Sequence, residues 1–132
     1  MIARHPDTKF IIAHFGSYCE NLRQVGQWLD QYPNMYVDIA ARISELGRQP
    51  YSSRAFLEKY SHRIFFGTDF IADRPVPHSN YYRFLETDDE YFNPEGDDGP
   101  AAQGRWNIYG IYLSDHALKR IYYENAKELF GF

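Results

Sequence analysis

The sequence has a single cysteine, Cys19, and fewer basic than acidic residues. One cysteine excludes an internal disulfide and any zinc centre built from several thiolates. The 14 Lys and Arg against 18 Asp and Glu give a formal net charge of −4, unlike the basic surfaces that bind nucleic acid or an anionic membrane. Apolar runs stay well short of the roughly 20 residues of a membrane span, and the first residues lack the pattern of a secretory signal. We therefore expect a cytoplasmic protein with no nucleic-acid and no membrane partner.

Aromatic side chains, in contrast, are abundant. The chain has 12 Tyr and 10 Phe among its 132 residues, and 44% of all residues are apolar. A chain of this length and composition can bury one core, so residues 1–132 are expected to form a single domain. Tyrosines in such number favour surfaces and pockets that are apolar and still form hydrogen bonds.

Short apolar runs alternate with helical patterns along the chain. Phe10-Ile11-Ile12-Ala13 is a continuous run rich in β-branched residues, typical of a strand that is covered on both faces in a parallel sheet. Ser17 followed by Glu20 matches the capping box of a helix start, and Gly131 suits the C-terminal cap of the last helix. The patterns predict strands near residues 9–14, 35–40 and 63–67 and helices near 18–32, 52–60 and 115–130. In the order β-α-β-α-β-loop-α, such elements form a parallel sheet with right-handed crossovers.

A long loop at about 70–113 interrupts this alternation and has an acidic middle. Loops longer than about 12–15 residues are uncommon in compact domains unless they are functional or disordered. Asn93–Gly104, which is rich in Gly, Pro and Asp, is expected to be mobile. Tyr81-Tyr82-Arg83-Phe84-Leu85 is too apolar for a free linker, and it is expected to pack as a short helix or as the base of a lid.

Two ionisable side chains come directly after predicted strands, His14 after the first and Asp69 after the third. In parallel α/β proteins, active sites form at the carboxyl ends of the strands, where the loops converge. A histidine and an aspartate there can share a divalent metal, or act as a general base and its orienting partner. Each also has a structural interpretation, Asp69 as a turn or helix cap and His14 as a hydrogen-bonded structural residue. Asp38 lies within the second strand, where a structural hydrogen-bonding role is favoured.

Further polar residues are candidates for binding a substrate. Arg42 and Arg48, after the second strand, can hold a substrate carboxylate through paired hydrogen bonds, or they form surface ion pairs with Glu45 and its neighbours. His78, in the long loop near Asp69, is a candidate site residue, as is Arg74. The remaining candidates have mainly structural interpretations. His5, His62 and His116 are expected to be exposed to solvent, and Cys19 is expected to be a small buried residue. For Trp106 and Tyr109, packing among aromatic side chains is favoured over lining a pocket.

Four segments, in order, resemble the amidohydrolase superfamily. The closest branch is the amidohydrolase-related group of metal-dependent hydrolases, which includes aromatic-acid decarboxylases and lactonases. HPDTKFIIAHFG (residues 5–16) is similar to the family's sixth-strand region, YPNMYVDI (32–39) to its seventh, RIFFGTD (63–69) to its eighth and IYYENAKELFG (121–131) to its closing helix. The resemblance implies a TIM (β/α)8 barrel with one or two divalent metals at its mouth. This chain would hold the C-terminal three β/α units, with parallel strands, as an incomplete barrel.

The resemblance also implies roles for two residues. Asp69 matches the eighth-strand carboxylate, which binds the metal or accepts a proton from metal-bound water. His14 matches the sixth-strand histidine, which binds metal, polarises the substrate or relays a proton. The family's first-strand His-x-His pair is absent, since no two histidines here are two residues apart. With only His14 and Asp69, a site lacks the three protein ligands usual for catalytic zinc. We therefore expect the divalent metal, zinc or alternatively manganese, to be incompletely ligated by this chain.

The expected function is that of a metal-dependent hydrolase acting on C–N or C–O bonds of a small-molecule substrate, or of a related decarboxylase, through a metal-activated water. A typical barrel needs roughly 250 residues. The chain alone is therefore expected to be inactive and to require self-association or an N-terminal barrel portion. The alternative is a non-catalytic α/β fragment or binding domain that oligomerises through open sheet edges.

Overall fold

Three parallel strands form the sheet in the part of the chain that the structure describes. A computed structural model describes residues 1–69, 78–96 and 104–132. Its strands, β1 (Phe10–Ile12), β2 (Met35–Asp38) and β3 (Ile64–Phe65), lie in the order β1-β2-β3. Both neighbouring pairs are parallel, with Ile12 opposite Val37 and Asp38 opposite Phe65. The predicted parallel arrangement is confirmed, and the carboxyl ends of all three strands meet at one edge of the sheet.

Helices connect and cover the strands. Helix α1 (Leu22–Gln31) joins β1 to β2, and two helices, α2 (Ile43–Leu46) and α3 (Pro50–Tyr60), lie between β2 and β3. After β3 come α4 (His78–Glu86), α5 (Asp115–Lys119), a π-helical turn (Arg120–Glu124) and α6 (Asn125–Phe130). These helices confirm the predictions near 18–32, 52–60 and 115–130, whereas the sequence pattern does not predict α2. No helix in the described ranges is both long enough and apolar enough to cross a membrane.

The start of α1 differs from the sequence prediction. Ser17 does not cap this helix, because residues 14–17 all have positive φ angles that a right-handed helix excludes. Asn21 is the cap instead, and its side-chain oxygen accepts a hydrogen bond of 3.1 Å from the backbone nitrogen of Gln24. The capping box of Ser17 and Glu20 was therefore the wrong signal. The cap at Gly131 is confirmed, with a left-handed φ of 73°.

The core lies between the sheet and the helices. Its fully buried members include Val25, Val37, Leu57, Ile64 and Phe84. Strand β1 is less covered than predicted, since Phe10 and Ile12 are only partly buried and Ile11 is 40% exposed. Covering on both faces was the wrong expectation for β1, because the face that carries Ile11 stays open to solvent.

The last helix is fixed to β3 by one buried side chain. The Nδ2 of Asn125 donates hydrogen bonds of 2.6 Å to the carbonyl oxygen of Ser61 and 2.7 Å to that of Ile64. Asn125 is only 3% exposed, so these bonds give the carbonyl groups of Ser61 and Ile64 a donor in the buried interior.

The predicted long loop contains packed structure. Helix α4 confirms the helical interpretation of Tyr81–Leu85, and its residues Tyr81, Phe84 and Leu85 are buried. Phe92 and Ile108 form an antiparallel bridge. The segment that follows hydrogen-bonds along α4, with the nitrogens of Ile111 and Leu113 donating to the carbonyls of Phe84 and Leu85. Within Asn93–Gly104, which was expected to be mobile, residues 97–103 lie outside the described residues, as does Arg74.

Candidate functional site

His14 and Asp69 lie at the same edge of the sheet. His14 follows the end of β1 by two residues, and Asp69 follows the end of β3 by four. Strand β2 lies between β1 and β3, so the two candidates are two strands apart, at a strand spacing of about 4.8 Å each. We call the loops at residues 13–17, 39–42 and 66–69 the carboxyl edge. The sequence prediction that both side chains emerge at one end of the sheet agrees with this placement.

Each loop of the carboxyl edge contains a non-glycine residue in the left-handed conformation. The φ angles are 56° at His14, 53° at Ala41 and 57° at Asp69. An L-residue in this region costs roughly 1–2 kcal/mol, although aspartate tolerates it better than most. Backbone strain of this kind persists only where surrounding contacts enforce it, and it is concentrated at functional sites. His14 and Asp69, the two residues selected from the sequence, are among these strained positions, and Phe15 and Ser17 in the first loop also have positive φ angles.

Asp38 holds the turn that contains His14. Its Oδ1 accepts a hydrogen bond of 2.8 Å from the backbone nitrogen of His14 and one of 3.1 Å from the backbone nitrogen of Ala40. Asp38 is the last residue of β2, so its carboxylate bridges the ends of two neighbouring strands. The structural hydrogen-bonding role favoured from the sequence is confirmed.

The His14 imidazole is oriented by the loop after β2. Its Nδ1 lies 2.9 Å from the carbonyl oxygen of Ala40. A carbonyl can only accept, so Nδ1 is the donor in this hydrogen bond, and in the neutral ring Nε2 is then the nitrogen with the lone pair. Fixing one ring nitrogen in this way is how proteins orient the other nitrogen toward a metal or a substrate proton. The half-buried His14 side chain therefore presents a basic nitrogen from a defined position.

Arg42 binds to the backbone of the carboxyl edge. Its Nε donates to the carbonyl oxygen of His14 at 3.2 Å, and its Nη1 donates to that of Ala41 at 3.0 Å. The guanidinium also lies 3.9 Å from the Glu45 carboxylate, the ion pair named as the alternative to substrate binding. Arg42 is therefore in the candidate site, with several of its donors already engaged.

Tyr81 joins two loops of the carboxyl edge and is the residue that sequence reasoning missed. Its hydroxyl accepts a hydrogen bond of 3.0 Å from the backbone nitrogen of Ala41 and donates one of 3.2 Å to the carbonyl oxygen of Thr68. Thr68 precedes Asp69, so α4 holds the Asp69 turn through this hydroxyl. The only sequence signal is that Tyr81 is the polar-tipped member of the buried stripe Tyr81, Phe84 and Leu85.

The hydroxyl of Tyr81 lies in the electrostatic field of the site. The pKa of Tyr81 is raised to about 12, mainly by burial. The Ala41 hydrogen bond lowers this pKa, the carboxylates of Asp69 and Asp38 raise it and Arg42 lowers it, all as smaller effects. The hydroxyl is therefore neutral at physiological pH and can donate to Thr68.

Two other predicted binding residues are not joined to this network. Arg48 is exposed, and its guanidinium carbon lies 4.4 Å from the centre of the Trp106 ring. His78 is the exposed first residue of α4. Trp106 is partly buried against the core and donates from Nε1 to the carbonyl oxygen of Ser44 at 2.9 Å, which agrees with packing. His5, His62 and His116 are exposed, as predicted.

The candidate donors for a divalent ion are few. Among residues 1–69, 78–96 and 104–132, no group of three or more His, Cys, Asp or Glu side chains could hold a metal ion. The Nε2 of His14 and the exposed carboxylate of Asp69 are donor types that zinc and manganese accept. These two groups fit as part of a metal site, and its other ligands would have to come from outside the described residues.

The sequence matches a known protein family. A family model described as Amidohydrolase matches residues 1–132, which is the whole chain. No curated protein and no solved structure matches the sequence.

Proposed function

The chain belongs to the amidohydrolase family, a superfamily of hydrolases and related decarboxylases, and on that premise we propose that it contributes the last three β/α units of a (β/α)8 barrel. In this proposal, Asp69 and His14 are the catalytic and metal-binding residues of a metal-dependent hydrolase that acts on C–N or C–O bonds of a small molecule, or of a related decarboxylase. Zinc is the proposed ion, with manganese as the alternative.

One observation supports this proposal most strongly. The His14 imidazole is held at Nδ1 by the Ala40 carbonyl at 2.9 Å, while the backbone nitrogen of His14 is held by Asp38 at 2.8 Å. The backbone contact fixes the position of the residue and the ring contact fixes the direction of Nε2, which is how metal-binding histidines are commonly held. The left-handed φ of 56° at His14 is energetically unfavourable, and these contacts stabilise the residue in that conformation.

The roles proposed for the side chains follow from their chemistry. A bound divalent ion would supply a water with a lowered pKa at neutral pH. Asp69, as an exposed carboxylate at the strand end, would take up a proton or hold charge at this position. His14 would offer the Nε2 lone pair to the ion or to a substrate proton. Arg42, Arg48 and His78 remain proposals for binding the substrate, and a cytoplasmic location remains a proposal as well.

The chain alone is proposed to be inactive. Within the described residues, the outer edges of β1 and β3 have no partner strand, and only two candidate ligands are present at the carboxyl edge. An N-terminal barrel portion would supply both the missing strand neighbours and the missing ligands. The exposed Ile11 of β1, at 40%, is the kind of apolar edge position that such a neighbour would cover.

A chimeric barrel tests the proposed function. The 132 residues would replace the corresponding C-terminal units of an active amidohydrolase, and turnover and metal content would be measured. Asp69→Asn should remove most of the activity, because an amide cannot accept a proton and lacks the negative charge. His14→Ala should also be severe while leaving more metal bound if the site has one ion. Asp7→Asn, which changes an exposed carboxylate, is the matched control, and near-normal turnover in Asp69→Asn would refute the assignment.

A further inference from the structure

A groove lined by tyrosines lies between the start of α3 and the segment 88–112. It consists of two cavities of about 430 Å³ and about 240 Å³, which share Pro50, Tyr51, Glu90 and Tyr109 in their linings. We call it the tyrosine groove and define it by Tyr51, Tyr109 and Tyr112 together with Arg48, Arg54, Asp88 and Glu90. Neither His14 nor Asp69 lines it.

The aromatic side chains of the groove are unusually exposed. Tyr51 is 90% exposed, Tyr112 55% and Tyr109 37%. Next to them, Tyr91 is 67% exposed, and its ring centre lies 6.2 Å from that of Tyr109. Tyrosine and arginine are the residue types that dominate binding energy at protein interfaces, because they bury a large area and still form hydrogen bonds. Four neighbouring exposed tyrosines are therefore more than scattered surface residues.

The backbone holds two of these tyrosines outward in a strained conformation. The φ angle is 57° at Tyr91 and 43° at Tyr112, in the left-handed region that bulky residues rarely adopt. The strain is enforced nearby, since the nitrogen of Tyr112 donates to the Thr87 carbonyl at 3.0 Å. A side chain at Gly110 would place its Cβ only 2.2 Å from the same carbonyl oxygen. The groove is thus presented by a rigid segment, which lowers the entropy lost on binding.

The charges in the groove are of both signs and are not paired with each other. Arg48 lies over the Trp106 ring, and Arg54 lies 5.8 Å from the centre of the Tyr112 ring. Neither arginine forms an ion pair with a carboxylate of the described part of the chain, nor do Asp88 and Glu90 with a base there. A patch that contains both signs can complement itself across a two-fold axis, where the arginines of one copy face the carboxylates of the other.

We propose that the tyrosine groove is the surface through which two copies of this chain pair. The occupant is a second copy because the groove carries its own complementary charges, and the tyrosines would form the buried centre of the interface. This pairing uses a different surface from the open sheet edges and is independent of the metal chemistry proposed above.

Charge reversal in the intact chain tests this pairing. Light scattering coupled to size-exclusion chromatography would be measured over a concentration series for Arg48→Glu/Arg54→Glu and for Asp88→Lys/Glu90→Lys. The wild type should be a dimer, and each double variant alone should dimerise at least tenfold more weakly. An equimolar mixture of the two variants should recover the dimer, since opposite charges then face each other again. A variant that merely failed to fold would not be recovered by mixing.

Two further variants complete the design. Arg4→Glu/Lys119→Glu makes the same change in net charge at exposed positions elsewhere and should leave the dimer intact. Tyr51→Ser, at the most exposed ring, should weaken dimerisation several-fold without altering the circular dichroism spectrum. A monomeric wild type, a dimer that is insensitive to the groove variants, or a mixture that stays monomeric would each overturn the proposal.

Discussion

The carboxylate of Asp38 accepts a hydrogen bond of 2.8 Å from the backbone nitrogen of His14, across the gap between two parallel strands. The same oxygen accepts from the nitrogen of Ala40 at 3.1 Å, and Ala40 in turn holds the His14 ring at Nδ1. These hydrogen bonds connect Asp38, Ala40 and His14 to one another. The left-handed turn at His14 and the orientation of its imidazole ring therefore both depend on the Asp38 carboxylate.

Replacing Asp38 should destabilise the fold. Asp38→Ala leaves two backbone N–H groups without their acceptor, which should cost about 2–3 kcal/mol in the free energy of unfolding. Asp38→Asn keeps an oxygen acceptor but loses the charge, and it should cost about 1 kcal/mol. Urea unfolding measures both values, with Asp7→Ala as an exposed control that should change stability by less than about 0.5 kcal/mol. Equal stabilities of Asp38→Ala and the control would contradict the role given to this carboxylate.

Removing the Tyr81 hydroxyl should loosen the turn that carries Asp69. Tyr81→Phe leaves the Ala41 nitrogen and the Thr68 carbonyl without their partner, at a cost of about 1–2 kcal/mol. The neighbouring Tyr82→Phe is the matched control, because the Tyr82 side chain is 42% exposed and its variant should stay within about 0.5 kcal/mol of wild type. Hydrogen exchange at Ala41 and Asp69 should accelerate in Tyr81→Phe alone. Unchanged exchange at both amides would contradict the prediction.

The raised pKa of Tyr81 predicts a loss of stability in alkaline solution. Its pKa is raised from 10.0 to about 12 in the folded state, mainly by burial. The folded state therefore keeps this proton after the unfolded chain has released it. The stabilising contribution is present below pH 10 and is lost as the pH rises toward 12. Between pH 10 and 12, the free energy of unfolding measured in urea should fall less in Tyr81→Phe than in the wild type. An equal fall in both proteins would contradict the raised pKa of Tyr81.

Glycine at position 41 should stabilise the protein. Ala41 has a φ of 53°, which glycine adopts freely, so Ala41→Gly should raise the unfolding free energy by about 0.5–1 kcal/mol. Ala55→Gly in helix α3 is the matched control and should lower it by about 1 kcal/mol, because glycine is a poor helix former. The two substitutions are chemically identical, so changes of the same sign at both sites would show that no strain is stored at Ala41.

Replacing the amide donor of Asn125 with a carboxylate acceptor should strongly destabilise the fold. Its Nδ2 donates to two buried carbonyls at 2.6 and 2.7 Å, and Asn125→Asp would place a carboxylate against both. We expect a loss of about 3–5 kcal/mol, larger than for Asn125→Ala, because the charge is buried beside two acceptors. Asn107→Asp removes an exposed hydrogen bond of 3.2 Å to the Tyr91 carbonyl oxygen. It should lower the free energy of unfolding much less. Thermal unfolding measures all three, and a larger loss in Asn125→Ala than in Asn125→Asp would contradict this account.

The parallel sheet could be predicted from the sequence because its signals are local. The runs that contain Ile11, Val37 and Ile64 are apolar and short, and helical stripes separate them. The positions of His14 and Asp69 follow from the same local patterns, since each comes just after a strand. The start of α1 was misplaced because Ser17 and Glu20 mimic a cap, while the left-handed turn from His14 to Ser17 depends on Asp38, which lies far along the chain.

The rest of the site depends on contacts between distant segments. The Tyr81 hydroxyl is hydrogen-bonded to Ala41, forty positions earlier in the chain, and no periodicity in the sequence predicts that bond. Arg42 and Arg48 look equivalent in the sequence, but Arg42 turns to the carbonyls of the carboxyl edge and Arg48 to the Trp106 ring. The difference comes from helix α2, which the sequence pattern does not predict and which separates the two arginines in space.

A titration of the chain with Mn²⁺, followed by NMR line broadening, tests most directly whether His14 and Asp69 form one site. A paramagnetic ion held at the carboxyl edge should broaden the His14 ring protons and the Asp69 amide first, even at weak affinity. The exposed His116 ring should stay sharp, and Asp69→Asn should markedly reduce the broadening at His14. Broadening centred on Asp88 and Glu90, with His14 unaffected or unchanged in Asp69→Asn, would contradict the central claim.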